Sequence, residues 1–347
     1  MFLLKEREAF AFFLILMFIY VISNYSDLFI DECQGFEHCY DFDRRMARLY
    51  VWSFDTFFDD FRHSVHFGLL VLSYQVFGNY KVLPFVSSVI GLALVFLTAR
   101  KISNGMLGIV SVIIVILSPI FRGYDISITY PSFWATGFLF CIYLTVRGSK
   151  YASIPYFAAI PMKSLLVWFM PAYLAFTAFS PFSLNKKESV VIVFLAVFVV
   201  LAFSIAIFVE YGVISHTYED LIVDFNLGEF VSGTGSWANS YRNDPYSLIV
   251  MFFVLCCLLM IRNVAWAKSF LYLLLGMILV SPFLTGFTTY DNWDYRFVPN
   301  IMLSAVGLGI VLNNIKELKS QFRKTMFPVK KSSKTTCAST NNDVDQP

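Results

Sequence analysis

Charged residues of this chain lie at the ends of apolar runs, where carboxylates and isolated cations could do chemistry together. Two aspartates, Asp41 and Asp43, fall in the segment YDFDRRMARLYVWSFDTFFDDFRHSVH, residues 40–66. A carboxylate can take the proton of an attacking hydroxyl, which is the role of a general base. Lysine and arginine bind phosphate through charge-assisted hydrogen bonds. The other charged candidates are Arg122, Asp125, Lys163, Asp291, Asp294 and Arg296.

Each of these residues also has an ordinary structural interpretation. On a helix, Asp41 would pair with Arg44 and Arg45, three and four residues later, as part of a solvated surface. Basic residues at a membrane surface often extend their charge toward water without binding any ligand. The sequence leaves the catalytic and the structural interpretation open. The structural interpretation also applies to Lys163 and Arg122, as interfacial cations, and to Arg296, as the ion-pair partner of Asp294.

A metal site is a weaker alternative in the same segment. Asp59, His63 and His66 are spaced by four and then three residues. On a helix this spacing puts carboxylate and imidazole ligands on one face, as a divalent cation requires. A histidine near lipid headgroups is more commonly a surface residue than a metal ligand. We therefore predict no cofactor with certainty. The sequence leaves open whether a divalent cation takes part.

The elements that carry these residues belong to a membrane protein. The chain is 58% hydrophobic and only 14% charged, with a mean hydropathy of +0.66. These values lie well outside the range of soluble domains. A membrane-crossing helix needs about 20 apolar residues. The candidate runs are 8–23, 64–78, 82–99, 105–121, 131–146, 151–162, 164–182, 189–209, 246–261, 269–286 and 297–312.

The distribution of basic residues predicts which runs cross the membrane. Cytoplasmic loops of membrane proteins are rich in lysine and arginine. The basic clusters fall on one side only if 64–78 lies in the outer interface and both termini are cytoplasmic. We therefore predict an all-α polytopic protein with about ten transmembrane helices, in the plasma membrane if the source is prokaryotic. Its membrane domain would be 1–313, with outer loops 24–81 and 211–246, followed by a disordered basic tail, 314–347.

This topology gathers the charged candidates on the outer membrane face. Charges at span ends that converge on one face indicate a site for an anionic substrate arriving through the lipid. Transfer of a sugar from a polyprenyl phosphate fits, since the phosphate needs fixed cations and the acceptor hydroxyl needs a base. Nucleic-acid binding is not predicted, because anionic lipid headgroups account for the basic tail.

Several stretches, in chain order, carry a likeness to a known family. They are DFDRRMARL, HFGLLVLSYQVFG, VLPFVSSVIGLALVFLTAR, SPIFRGYDISITYPSFW, AAIPMKSLLVWFMPAYLAF, FNLGEFVSGTGSWANSYRNDPYSL and DYRFVPNIMLSAVGLG. Together they resemble the integral-membrane glycosyltransferases of the GT-C fold. The most similar branch is the protein O-mannosyltransferase and aminoarabinose-transferase type, which includes rhizobial lipopolysaccharide transferases. The likeness covers about residues 8 to 312.

The resemblance implies specific roles. It implies a lipid-linked sugar donor, inversion at the anomeric carbon, and Asp41 or Asp43 as the catalytic base. It makes Asp125 a second carboxylate near the acceptor, and Lys163 and Arg296 contacts to the donor phosphate. The acceptor would be a lipid, a glycan or a protein.

The chain departs from the family in ways that leave its substrate open. The family commonly has a proline pair where this chain reads HSVHFG, and often an arginine where it has Glu229. The main alternative is a non-enzymatic transporter or flippase of lipid-linked saccharides. Such a protein should have internal repeats and ionisable residues near mid-membrane. The sequence has no convincing repeat, which favours the enzyme. A catalytically inactive scaffold for another transferase is a weaker alternative.

Overall fold

The structure is a computed structural model, and the regular elements that it describes are helical. No β-strand occurs in the described part of the chain. The predicted all-α class is therefore confirmed for these residues. The structure describes residues 5–30, 64–128, 131–163, 165–182, 244–285 and 297–326, with a few short pieces between 194 and 235.

Most of the helices coincide with apolar runs of the sequence, because a run of apolar residues forms a continuous helix in an apolar environment. A single turn of 3₁₀-helix follows α1, and another precedes α8. The helices are α1 (Glu6–Asn24), α2 (Ser64–Phe77), α3 (Val82–Ile102), α4 (Gly105–Ile116), α5 (Pro119–Tyr124), α6 (Pro131–Val146), α7 (Ser153–Ala159), α8 (Leu165–Ala178), α9 (Pro245–Met260), α10 (Ala267–Thr285), α11 (Val298–Asn313) and α12 (Ile315–Met326).

Two of the described helices are long and apolar enough to cross a membrane. They are Glu6–Phe29, which joins α1 to the turn after it, and Val82–Ile102. The number rises to three if α11 and α12, which meet at an angle of 75°, are counted as one broken span. The other apolar helices are shorter. The structure therefore supports a helical protein with two or three segments that could cross a membrane. It does not confirm the ten predicted spans.

After its charged first turn, helix α1 is apolar on all sides. Ala9 and Phe13 pack into the core, whereas Phe12, Phe18 and Ile22 are more than half exposed. A peripheral helix that is hydrophobic all round, with large apolar side chains facing outward, is suited to contact with lipid. This pattern agrees with the hydropathy of α1 as a membrane-crossing helix.

Polar contacts define two opposite ends of the helix bundle. At one end, the Glu6 carboxylate pairs with Arg100 (Nε to Oε2, 2.6 Å) and accepts a hydrogen bond from the backbone N–H of Gly105. At the other end, the Tyr20 hydroxyl donates to Asp125. We call these the Glu6 end and the Asp125 end. Helix α1 runs from the first to the second, α3 returns, and α4 runs back toward the Asp125 end.

Both ends of helix α2 are attached at the Asp125 end. Near its start, His66 Nε2 lies 2.9 Å from the carbonyl oxygen of Ile128. Just after it, the side-chain amide of Asn79 donates to the carbonyl of Leu28, which follows α1. A 14-residue helix is about 21 Å long. Because both of its ends are held at the same end of the bundle, α2 lies across the bundle and not along it.

Helices α8 and α10 pack against each other in opposite directions at very short range. The rings of Phe179 and Tyr272 stack with centroids 4.7 Å apart. Further along, a Cβ added at Gly276 would lie 2.6 Å from the Cβ of Ala172. No side chain fits at that contact, so glycine is what permits the close approach of the two helices.

Helix α12 corrects one prediction. The tail 314–347 was expected to be disordered because of its charge, but residues Ile315–Met326 form a helix. For residues 315–326 the prediction was wrong, because it used composition and ignored spacing. Residues 327–347 lie outside the described part of the chain, where the prediction stays untested. Apolar Ile315, Leu318 and Phe322 recur at helical intervals, and Gln321 donates to Glu317 across one turn at 2.6 Å.

Candidate functional site

Asp125 is a buried carboxyl at the Asp125 end of the bundle. It follows the short helix α5, outside the long helices, and only 4% of it is exposed. The Tyr20 hydroxyl donates a hydrogen bond to its Oδ2. Its backbone carbonyl accepts from Ser88 Oγ at 2.6 Å. Helices α1 and α3 thus hold both the side chain and the backbone of Asp125.

Burial determines the protonation of this carboxyl. Loss of water raises the pKa of Asp125 from 3.8 to about 7, while the Tyr20 hydrogen bond and the charge of Arg122 act in the opposite direction. A carboxyl with a pKa near neutrality can hold or release a proton at physiological pH. Asp125 is therefore able to serve as an acid, as a base or as a proton carrier.

The protonation of Asp125 predicts how stability depends on pH. Between about pH 4 and pH 7 the folded state keeps the proton that the unfolded chain releases, so stability falls as pH rises through this window. The neutral variant Asp125→Asn lacks this dependence. We expect the thermal midpoint of the wild type in detergent to fall relative to Asp125→Asn over that window. The difference corresponds to a free energy on the order of 4 kcal/mol. A difference that stays constant with pH would contradict the burial of an ionisable carboxyl.

A second buried aspartate fastens the segment that leads to Asp125. Asp244, which is 1% exposed, caps α9 by accepting from the backbone N–H of Ser247 at 2.9 Å. Its Oδ2 also accepts from the backbone N–H of Ile120 at 3.1 Å and from Ser118 Oγ at 3.2 Å. Asp244 therefore caps α5 and α9 together and ties both helices to one carboxylate.

His66 is enclosed by other groups. It is fully buried, and the rings of Phe67 and Phe133 meet its ring edge-on. Because a carbonyl oxygen only accepts, Nε2 donates to Ile128 and is not available as a metal ligand in this arrangement. Within the described ranges no three histidine, cysteine, aspartate or glutamate side chains lie together as a metal site would need.

The two described cations of the predicted phosphate site differ in exposure. Arg122 is exposed on α5, three residues before Asp125, and its charge acts on that carboxyl. Lys163 lies at the predicted hairpin turn between Ile160–Met162 and α8, but it is only 8% exposed. It is buried because α2 and α6 pack beside the turn. Arg122 is thus placed to meet a ligand from solvent, whereas Lys163 is enclosed by helices.

The remaining predicted site residues lie outside the described part of the chain. They include both candidates for the catalytic base and two of the three weak metal candidates. The structure neither brings them together nor separates them. These residues are Asp41, Asp43, Asp59, His63, Asp291, Asp294 and Arg296.

Comparisons with known proteins do not identify a family for this chain. No family model, curated protein or solved structure matches this chain. The function must therefore be argued from the chain's own residues and from the resemblance of its motifs.

Two residues at this end were missed in the sequence. Tyr20 lies in an apolar run and looks like any interfacial aromatic residue, so nothing local marks it as the partner of Asp125. Asp244 does carry a signal, because an aspartate directly before Pro245 is a typical start of a helix. Ser118 before Pro119 has the same signature, and the two helix starts meet.

Proposed function

We propose that the protein is a membrane glycosyltransferase that moves a sugar from a polyprenyl-phosphate donor to an acceptor hydroxyl. The bond between the anomeric carbon and the phosphate oxygen breaks, and the phosphate leaves with the electron pair. The acceptor oxygen bonds to the opposite face of that carbon, which inverts it. Asp41 or Asp43 takes the acceptor's proton. The cations assigned to the donor phosphate are Arg122, Lys163 and Arg296.

The observation that carries the proposal is the environment of Asp125. A carboxyl held by Tyr20 with a pKa near 7 suits the neighbourhood of an acceptor hydroxyl, because it can exchange protons and hydrogen bonds with it. The exposed guanidinium of Arg122 lies on the short helix α5, which Asp125 directly follows. An acid–base group beside a cation matches the requirements of a reaction at a phosphate-bearing donor.

The contacts of the bundle support the orientation that this reaction needs. The basic pair Arg100 and Lys101 lies at the Glu6 end, as expected for a cytoplasmic face. The Asp125 end would then face outward. Helix α2, which is attached to that end at both of its termini, would lie in the outer interface beside the lipid-borne donor.

The proposal is tested with purified protein in lipid bilayers. Labelled sugars on polyprenyl phosphate are supplied as a panel of donors, with membrane extracts as the source of acceptor. We expect time-dependent movement of label from at least one donor into a product that no longer carries the polyprenyl phosphate. If no donor is consumed, while labelled lipid-linked saccharide crosses the bilayer only when the protein is present, the enzyme proposal fails.

A transporter or flippase of lipid-linked saccharides is the second candidate. The same buried carboxyl favours it, since proton-coupled transporters use aspartates that change protonation inside the protein. In that case Asp125 would carry a proton and no sugar bond would break. Transport that acidifies or alkalinises one compartment, without loss of donor, would support this alternative.

A further inference from the structure

The chain bends sharply between α11 and α12 at the Glu6 end of the bundle. Helix α12 follows α11 at an angle of 75°, with Asn314 between them. Helix α11 ends at the Glu6 end, because Gly309 lies beside Ala99 and Ser103 near the end of α3. Helix α12 therefore runs across this end of the bundle, in the direction expected for a helix along a membrane surface.

The apolar face of α12 packs partly on the protein and remains partly exposed. Leu318 contacts the hydrophobic core. Ile315 and Phe322 are 43% and 51% exposed. They are seven residues apart, which is about two helical turns, so they lie on the same face. This face is an apolar surface that water would not favour.

Basic residues lie beside this apolar surface. Lys316, Lys319 and Arg323 are exposed. Lys319 is four residues after Ile315, and Arg323 directly follows Phe322, so positive charge flanks the apolar face. Glu317 is the acidic residue of the helix, and it is engaged by Gln321.

We infer that α12 is an interfacial helix that binds the anionic headgroups of the bilayer at the Glu6 end. Ile315 and Phe322 would enter the boundary between headgroups and acyl chains, and the three cations would contact lipid phosphates. A helix with an apolar face and a basic flank binds membranes in this manner. Its place at the end of a buried apolar helix puts it at the depth of the headgroups. The inference does not depend on the proposed enzymatic activity.

Hydrogen exchange of the full-length protein tests this inference. The protein is placed in nanodiscs of phosphatidylcholine alone or with added phosphatidylglycerol, and exchange of the 315–326 peptide is followed by mass spectrometry. Each cation near an anionic surface strengthens association by about fivefold, so we expect exchange at least about tenfold slower with phosphatidylglycerol. The protection should weaken as salt rises from about 0.1 M to 0.5 M.

Matched variants distinguish binding by the basic face of α12 from a general effect of positive charge. Replacing Lys316, Lys319 and Arg323 with glutamine should remove most of the effect of phosphatidylglycerol while the rest of the bundle exchanges as in the wild type. A control that removes the same charge from the tail should keep the protection. Equal exchange of the 315–326 peptide in both lipid compositions would overturn the inference. Equal loss of protection in the helix variant and in the tail control would also overturn it. The control replaces Lys330, Lys331 and Lys334 with glutamine.

Discussion

Replacing Asp125 with asparagine is expected to lower sugar transfer about 100- to 10,000-fold, the range for loss of a positioned acid–base group. Asparagine has nearly the same shape and its carbonyl oxygen can still accept the Tyr20 hydrogen bond, so the fold should persist. What disappears is the ability to exchange a proton at neutral pH. Transfer of label from the preferred donor, measured at saturating donor, reports this loss.

The matched control is Asp27→Asn. Asp27 lies in the turn after α1, near the Asp125 end, and is partly exposed. Its charge raises the pKa of Asp125 only as a minor contributor, after burial, Tyr20 and Arg122. Its substitution should therefore change transfer less than about threefold, as is usual for a surface residue. Full activity in Asp125→Asn would remove Asp125 from the mechanism.

Tyr20→Phe tests the hydrogen bond separately from the carboxyl. The Tyr20 hydroxyl stabilises the ionised form of Asp125, so its removal should raise the pKa of that carboxyl further. If the ionised carboxyl is the active form, the acidic limb of the pH–rate profile should move upward by about one pH unit. A uniform loss of rate at all pH values would indicate only structural damage.

Asp244→Ala is expected to cause a large loss of stability in the described bundle. It removes the acceptor for two backbone N–H groups and for the hydroxyls of Ser118 and Ser247. Buried donors left without a partner cost about 1–3 kcal/mol each, and a lost helix cap costs about 1 kcal/mol. We expect the thermal midpoint in detergent to fall by roughly 6 °C or more.

Two further variants give this prediction its controls. Asp244→Asn keeps one acceptor oxygen and should fall between the wild type and Asp244→Ala. Asp27→Ala removes a partly exposed aspartate and should change the free energy of unfolding by less than about 0.5 kcal/mol. A midpoint for Asp244→Ala that matches that of Asp27→Ala would contradict the double cap of α5 and α9.

Hydropathy was sufficient to place most of the described helices. The run 82–99 became Val82–Ile102, and the run 246–261 became Pro245–Met260. Apolar runs of this length have no stable alternative to a helix in lipid, because each backbone polar group must be satisfied within the segment. The charged tail was the exception, since α12 depends on the spacing of a few apolar residues and not on overall composition.

Pairings across the bundle could not be predicted in the same way. Tyr20 and Asp125 are 105 residues apart, and their contact depends on how three helices pack. The burial of Lys163 likewise depends on α2 and α6 packing beside its turn. Sequence predicted which residues were chemically suited to a site, but the partners that set their protonation or burial came from tertiary packing.

The most direct test of the account compares Asp41→Asn and Asp43→Asn, made separately, in the transfer assay. The carboxylate that takes the acceptor's proton should be essential, so we expect one variant to lose transfer by about 100-fold or more and the other to keep most of it. Donor binding should be little changed in both, because neither residue is assigned to the phosphate. Full transfer by both variants would contradict the claim that a first-loop aspartate is the base of a glycosyl transfer.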